Sequence, residues 1–244
     1  MRNVWIVFKR ELAAYFATPV AYVFLVVYLA LSGYFTWYLG NYYDTDQADL
    51  QTFFGFHPWL YLALIPAISM RLWAEERRGG TIELLLTLPV SMGQAVTGKF
   101  LAAWAFTGIA LALTFTEWIT VGYLGNPDHG VIFASYLGSL LMAGGFLAIG
   151  ACISAVTKNQ VIAFVLSLAV CLLFILSGFP GVINVVSAVA PEAVVDAVRS
   201  FSFLTHFNGI TRGVIQFRDL LFFTSLIAFF LYANAVIVDL KKAD

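Results

Sequence analysis

An all-α, polytopic membrane fold is what this sequence predicts, and three observations predict it. Of 244 residues, 61% are hydrophobic and only 11% charged, against about 25% charged in an average soluble domain. The charges gather in short clusters between long apolar runs. Six of these runs reach the length of about 20 residues that a helix needs to cross a hydrocarbon core roughly 30 Å thick. Basic residues also concentrate in alternate connections between the runs. A soluble fold must cover its surface with polar groups, whereas lipid solvates apolar side chains directly, so lipid is the solvent this composition fits. The net charge of −1 comes with no basic stripe of the kind that binds nucleic acid.

Residues 1–17 form the first element. Val4, Trp5, Phe8, Leu12 and Tyr15 share one helical face, and Arg2, Lys9 and Arg10 share another. That pattern predicts an interfacial helix with its apolar face at the acyl boundary and its cations near headgroups. The same charges also fit a plain anchor for the first span. No Asp, Glu, Lys or Arg occurs between residues 12 and 43, too long a stretch for the h-region of about 7–15 residues in a signal peptide, so a retained span is expected.

The six expected spans are Val20–Leu39, Thr52–Trp73, Lys99–Tyr123, Val131–Val156, Gln160–Phe179 and Asp219–Val238. With the N-terminus inside, Arg2, Lys9, Arg10, Arg71, Arg77, Arg78, Lys99, Lys158, Lys241 and Lys242 are cytoplasmic. Arg199, Arg212 and Arg218 are then outside. That asymmetry predicts six spans with both termini in the cytoplasm. The first outer loop agrees, since Asp44, Asp46 and Asp49 stand there without a basic residue.

Gly125-Asn126-Pro127-Asp128 turns the chain outside and Thr157-Lys158-Asn159 turns it inside, so spans three, four and five are expected as antiparallel neighbours. The connection 180–218 is long, external and rich in Val, Ala and Phe. It predicts short helices lying against the outer leaflet, where backbone polar groups must be satisfied by protein or water.

The most informative stretch is 71–89, Arg-Leu-Trp-Ala-Glu-Glu-Arg-Arg-Gly-Gly-Thr-Ile-Glu-Leu-Leu-Leu-Thr-Leu-Pro. Arg71 and Glu75 lie four apart and can pair on a helical face. Gly79-Gly80 permits a sharp turn. Thr81 can cap a second short helix with Glu83 in its first turn and Pro89 beyond its end. The expected product is a rigid amphipathic helix parallel to the membrane, its charges open to a soluble partner.

The run from Glu75 to Pro89 resembles the signature of type-2 ABC permeases, in which this element is the coupling helix that docks on the ATPase. The resemblance covers essentially the whole chain. Within that family the chain is most similar to the permease of the gliding-motility-associated (Gld) ABC transporter. The residues that carry this likeness are Pro58-Trp59, Ile65-Pro66-Ala67, Met70-Arg71, Asn159-Gln160, His206-Phe207 and Thr211-Arg212-Gly213-Val214-Ile215. The resemblance implies a single transmembrane domain over 1–244, with the coupling role on Glu75, Glu76, Arg77, Arg78, Gly79, Thr81 and Glu83. It also implies a homodimer with two copies of a cytoplasmic ATPase, and a membrane-anchored partner with a large external domain.

No Gly-rich phosphate loop ending in Gly-Lys-Ser/Thr is present, so no ATP chemistry and no cofactor are expected on this chain. Mg-ATP belongs to the partner. Glu117 stands alone as an acid in the third span, where it either lines a translocation path or lies near the outer headgroups. Arg212 is expected to meet an anionic lipid or the external partner. Gly144, Ala148 and Cys152 form a small-residue stripe that suits close packing. His57 and His206 are expected as surface or interfacial residues, and Cys152 and Cys171 as packing residues. The function expected is a permease of exporter type. The alternative is a mechanotransmitter that remodels its external partner without moving a solute.

Overall fold

The computed structural model describes residues 2–44, 47–80 and 90–241 of the chain. Every regular element among them is helical. Helix α1 (Arg2–Ala17) is followed by α2 (Pro19–Tyr34), which runs into one π-helical stretch, Phe35–Leu39. Helix α3 (Gln51–Ser69) carries Pro58 and Pro66 internally, each removing one backbone donor, and α4 (Arg71–Gly79) follows after a single residue. The third run divides into α5 (Met92–Leu113) and α6 (Phe115–Leu124) at Thr114. Then come α7 (His129–Val156) and α8 (Gln160–Leu176), with the short helices α9 (Pro180–Ser187), α10 (Glu192–Ser200) and α11 (Phe203–Thr211), and finally α12 (Phe217–Leu240).

Five helical stretches among the described residues are long and apolar enough to cross a membrane. They become six if α8 and α9, which meet at a 71° bend, form one broken span. The expected third span begins seven residues earlier than the apolar run suggested, at Met92. The cause is local: the Ser91 hydroxyl accepts from the Gln94 amide while the Gln94 side chain accepts from the Ser91 amide, so a capping box sets the start.

Helix α7 is the axis of the bundle and packs on α3, α4, α5, α8, α11 and α12. Within its most apolar stretch 78% of residues are buried, against 22% for the first span and 17% for α12. Small residues allow the close approach. A Cβ at Gly150 would overlap the Ser69 hydroxyl of α3, and one at Gly144 would stand 3.0 Å from the Trp104 indole nitrogen of α5. Ala148 and Cys152 of the same stripe are buried too, in keeping with packing.

Both histidines expected at the surface lie inside. His57 is fully buried: its Nδ1 is 2.7 Å from the Ser139 hydroxyl, which also meets the Tyr61 hydroxyl at 2.7 Å, and Phe53 and Phe54 close around the ring edge-on. His206 is 3% exposed, with Nδ1 2.7 Å from Asp219 Oδ1 and Nε2 3.0 Å from the Ser200 carbonyl, and its ring stacks on Phe222. The physical reason for both corrections is the same. A polar ring enters a membrane bundle when partners on neighbouring helices satisfy it, and those partners are distant in sequence or unrecognisable before folding.

The chain has two distinct ends. The end of α1, helix α4, the start of α5 and the ends of α7 and α12 meet at one, where Lys241 donates to the Val156 carbonyl. Asp49, Asp128 and Thr211 line a small cavity at the other.

Candidate functional site

The site is built around α4. Lys99, in the second turn of α5, points into the junction of three helices and its side chain is 4% exposed. Its ammonium stands 2.7 Å from Glu76 of α4, 3.3 Å from Glu11 of α1 and 5.4 Å from the centre of the Trp73 ring. A buried ammonium without partners is strongly destabilising, and here two carboxylates and an aromatic face supply them. Burial pushes the Glu11 carboxyl up, but Lys99 and the adjoining Arg10, 2.5 Å away, outweigh that effect and hold it below the ordinary carboxylate value.

Helix α4 is fastened to α7 as well. Its first turn has amide groups without intrahelical acceptors. The fully buried Ser154 hydroxyl of α7 accepts from the Trp73 and Ala74 amides, both at 3.1 Å, and donates to the Met70 carbonyl at 2.8 Å. Arg77 donates to the Ala155 carbonyl at 2.8 Å, at the C-terminal end of α7, where a cation also suits the helix dipole. Gly80 closes α4 with φ +67°, a left-handed conformation that glycine adopts without strain. One hydroxyl thus satisfies three backbone groups at the joint between α3 and α4. Ser154→Ala is expected to cost about 1–3 kcal/mol and to speed hydrogen exchange at the Trp73 and Ala74 amides. Unchanged protection at both amides would refute the cap.

The residues singled out in the sequence divide sharply. Glu75, Arg78 and Gly79 are exposed, whereas Glu76 and Arg77 turn inward to Lys99 and to the end of α7. Thr81 and Glu83 lie outside the described residues. The expected Arg71–Glu75 pair does not form: both residues line one cavity, with no ion pair between them among the described residues, because Arg71 faces Tyr15 of α1. Glu117 is not part of this cluster. It sits half-buried in the first turn of α6, facing Gly33 and Trp37 at the far end of the first span. About 18 residues of helix, roughly 27 Å, separate it from Lys99. Arg212 ends α11 in an exposed position, also remote from α4.

Sequence reasoning missed Glu11, Lys99 and Ser154. Lys99 reads in sequence as one more side-setting cation, and the signal that marks it out is its place at the head of a run without further charge until Glu117. Ser154 offers no such signal, since serines recur throughout these helices. Compared with known families, residues 6–238 match the family described as ABC-2 family transporter protein. No curated protein matches the chain.

Proposed function

Because this chain belongs to the ABC-2 transporter family, and so is the multi-pass permease component of an ABC transporter with an ATPase as partner, we propose that residues 71–89 take the push of that ATPase and pass it to the bundle. The observation that carries this reading is the double fastening of α4. It follows α3 after one residue, holds α7 through Ser154 and Arg77, and holds α1 and α5 through Glu76 and Lys99. A force on its exposed face therefore reaches four helices through buried contacts. Glu75, Arg78 and Gly79, with Thr81 and Glu83 beyond them, form the contact with the ATPase, and Glu76 and Arg77 transmit.

The permease works as a homodimer with two ATPase copies in a bacterial inner membrane, both termini cytoplasmic. It has no catalysis of its own, Mg-ATP being hydrolysed on the partner, and it serves export. The likeness to gliding-type permeases adds a membrane-anchored partner with a large external domain, with Arg212 as its contact. Glu117 belongs to the translocation path in this reading.

Arg78→Glu combined with Glu83→Lys is expected to lower permease-stimulated ATP hydrolysis about ten-fold, equivalent to about 1.4 kcal/mol of coupling, with normal membrane insertion. Full stimulation by the correctly inserted variant would overturn the assignment. One observation favours the mechanotransmitter as a second reading: the outer helices are tied to α12 by the buried His206–Asp219 contact, so motion of α12 reaches the outer surface without any solute. ATPase stimulation by the external partner with no flux in vesicles supports that reading.

A further inference from the structure

Between α1, α4 and α5 lies an open cavity of about 280 Å³, and not all of its charges are paired. Lys99 is matched by Glu11 and Glu76, and Arg10 completes a chain of two cations and two anions. Arg71 and Glu75 remain on the wall, one cation and one anion. Neither has an ion-pair partner among the described residues, and the Arg71 Nε is buried with no hydrogen-bond acceptor. A guanidinium so placed carries a desolvation cost that an anionic oxygen on a ligand would offset. Leu72 and Ala14 supply apolar wall beside these charges, and Tyr15 and Thr18 supply hydroxyls.

The location restricts the ligand further. The cavity opens where α1 gives way to α2 at Thr18 and where α3 gives way to α4 at Arg71, so two long apolar helices both terminate at its level. In a multi-pass membrane protein that level is the boundary between acyl chains and water. We propose that this cavity binds the headgroup of a phospholipid bearing a primary ammonium, of the phosphatidylethanolamine class, with the phosphate on Arg71 and the ammonium on Glu75.

Separated opposite charges on the wall complement a zwitterion better than a purely anionic headgroup, which would meet Glu75 unpaired. A quaternary ammonium fits less well. It cannot donate hydrogen bonds to a carboxylate and is held by aromatic faces, and the Trp73 face at this site is already taken by Lys99. The bound lipid would wedge between α1 and α4, on Arg71 and Glu75 at the start of the proposed coupling segment itself, yet its binding requires no ATPase and is measured on the permease alone.

The test uses the full chain in nanodiscs of equal parts phosphatidylethanolamine, phosphatidylglycerol and phosphatidylcholine, with retained lipid counted by native mass spectrometry. The wild type is expected to retain phosphatidylethanolamine about ten-fold over either of the other two lipids, roughly the effect of one charged hydrogen bond. Arg71→Gln and the more exposed Glu75→Gln should each abolish the preference, and Arg71→Lys should restore part of it. Retention in proportion to the mixture, a preference for phosphatidylglycerol, or an undiminished preference in Arg71→Gln would overturn the proposal. A parallel sample with inorganic phosphate separates the sources: displacement of the lipid by millimolar free phosphate would show a phosphate site rather than a headgroup site, and also overturns it.

Discussion

Lys99→Met is expected to destabilise the assembled bundle by about 2–4 kcal/mol, near the lower part of the range for breaking a buried ion pair. Methionine keeps the unbranched stem, so the loss isolates the charge. It leaves Glu11 and Glu76 facing the same small space with 17% and 19% side-chain exposure, and that residual solvation is why the cost falls short of the fully buried limit. Glu76→Gln placed in the Lys99→Met background should recover part of the loss, because one of two facing carboxylates is then neutral. A thermal-unfolding double-mutant cycle in detergent measures the coupling, and additive single effects would exclude a shared ion cluster.

The same cluster predicts an acid dependence whose sign follows from Glu11. Its carboxyl is held below the ordinary value, so the stability it contributes is complete above pH about 4.5 and is lost as pH falls through the depressed folded value. Helix α1 should therefore loosen from α5 only in strong acid, and Lys99→Met should bring that loosening to higher pH.

His206→Ala is expected to free the short helices α10 and α11 while leaving the spans folded. The Ser200 carbonyl can only accept, so Nε2 carries hydrogen, and Nδ1 then shares a further proton with Asp219. Alanine removes both contacts together with the stack on Phe222, and leaves the Asp219 carboxyl, 6% exposed, without its partner. Losing a buried charged partner costs about 3–5 kcal/mol, enough to detach α10 and α11 from α12 locally. Hydrogen exchange should rise across residues 192–216 with little change in α7. Equal protection in the variant would show that apolar packing by Phe203 and Phe207 alone holds the segment. His206→Ala/Asp219→Asn should recover part of the loss, since no buried carboxylate then remains unpaired.

The long helices were legible because each apolar run exceeds any signal or core segment and lipid demands such runs wherever a helix crosses. Their ends were less so. An all-round apolar helix has no periodicity to fix its limits, and the start of α5 was marked instead by Ser91 and Gln94, a capping pair hidden among Gly93, Ala95 and Thr97. The exposed members of the candidate site, Glu75, Arg78 and Gly79, were readable as a charged segment between runs. The inward roles of Glu76 and Arg77 were not, since adjacent residues on a nine-residue helix differ only in the direction they face.

Composition and the spacing of charges by themselves determined that this protein is helical, multi-pass and solvated by lipid, because the free energy of each apolar run in a bilayer is a sum over its own residues. Tertiary structure alone decided which polar groups are interior and to what they are joined. Lys99 with Glu11 and Glu76, Ser154 with the joint at Met70, and His57 with Ser139 are pairings between separate helices across 23 to 88 positions of sequence. A hydrogen bond or ion pair depends on distances of a few tenths of an ångström between surfaces that meet only after the helices have packed.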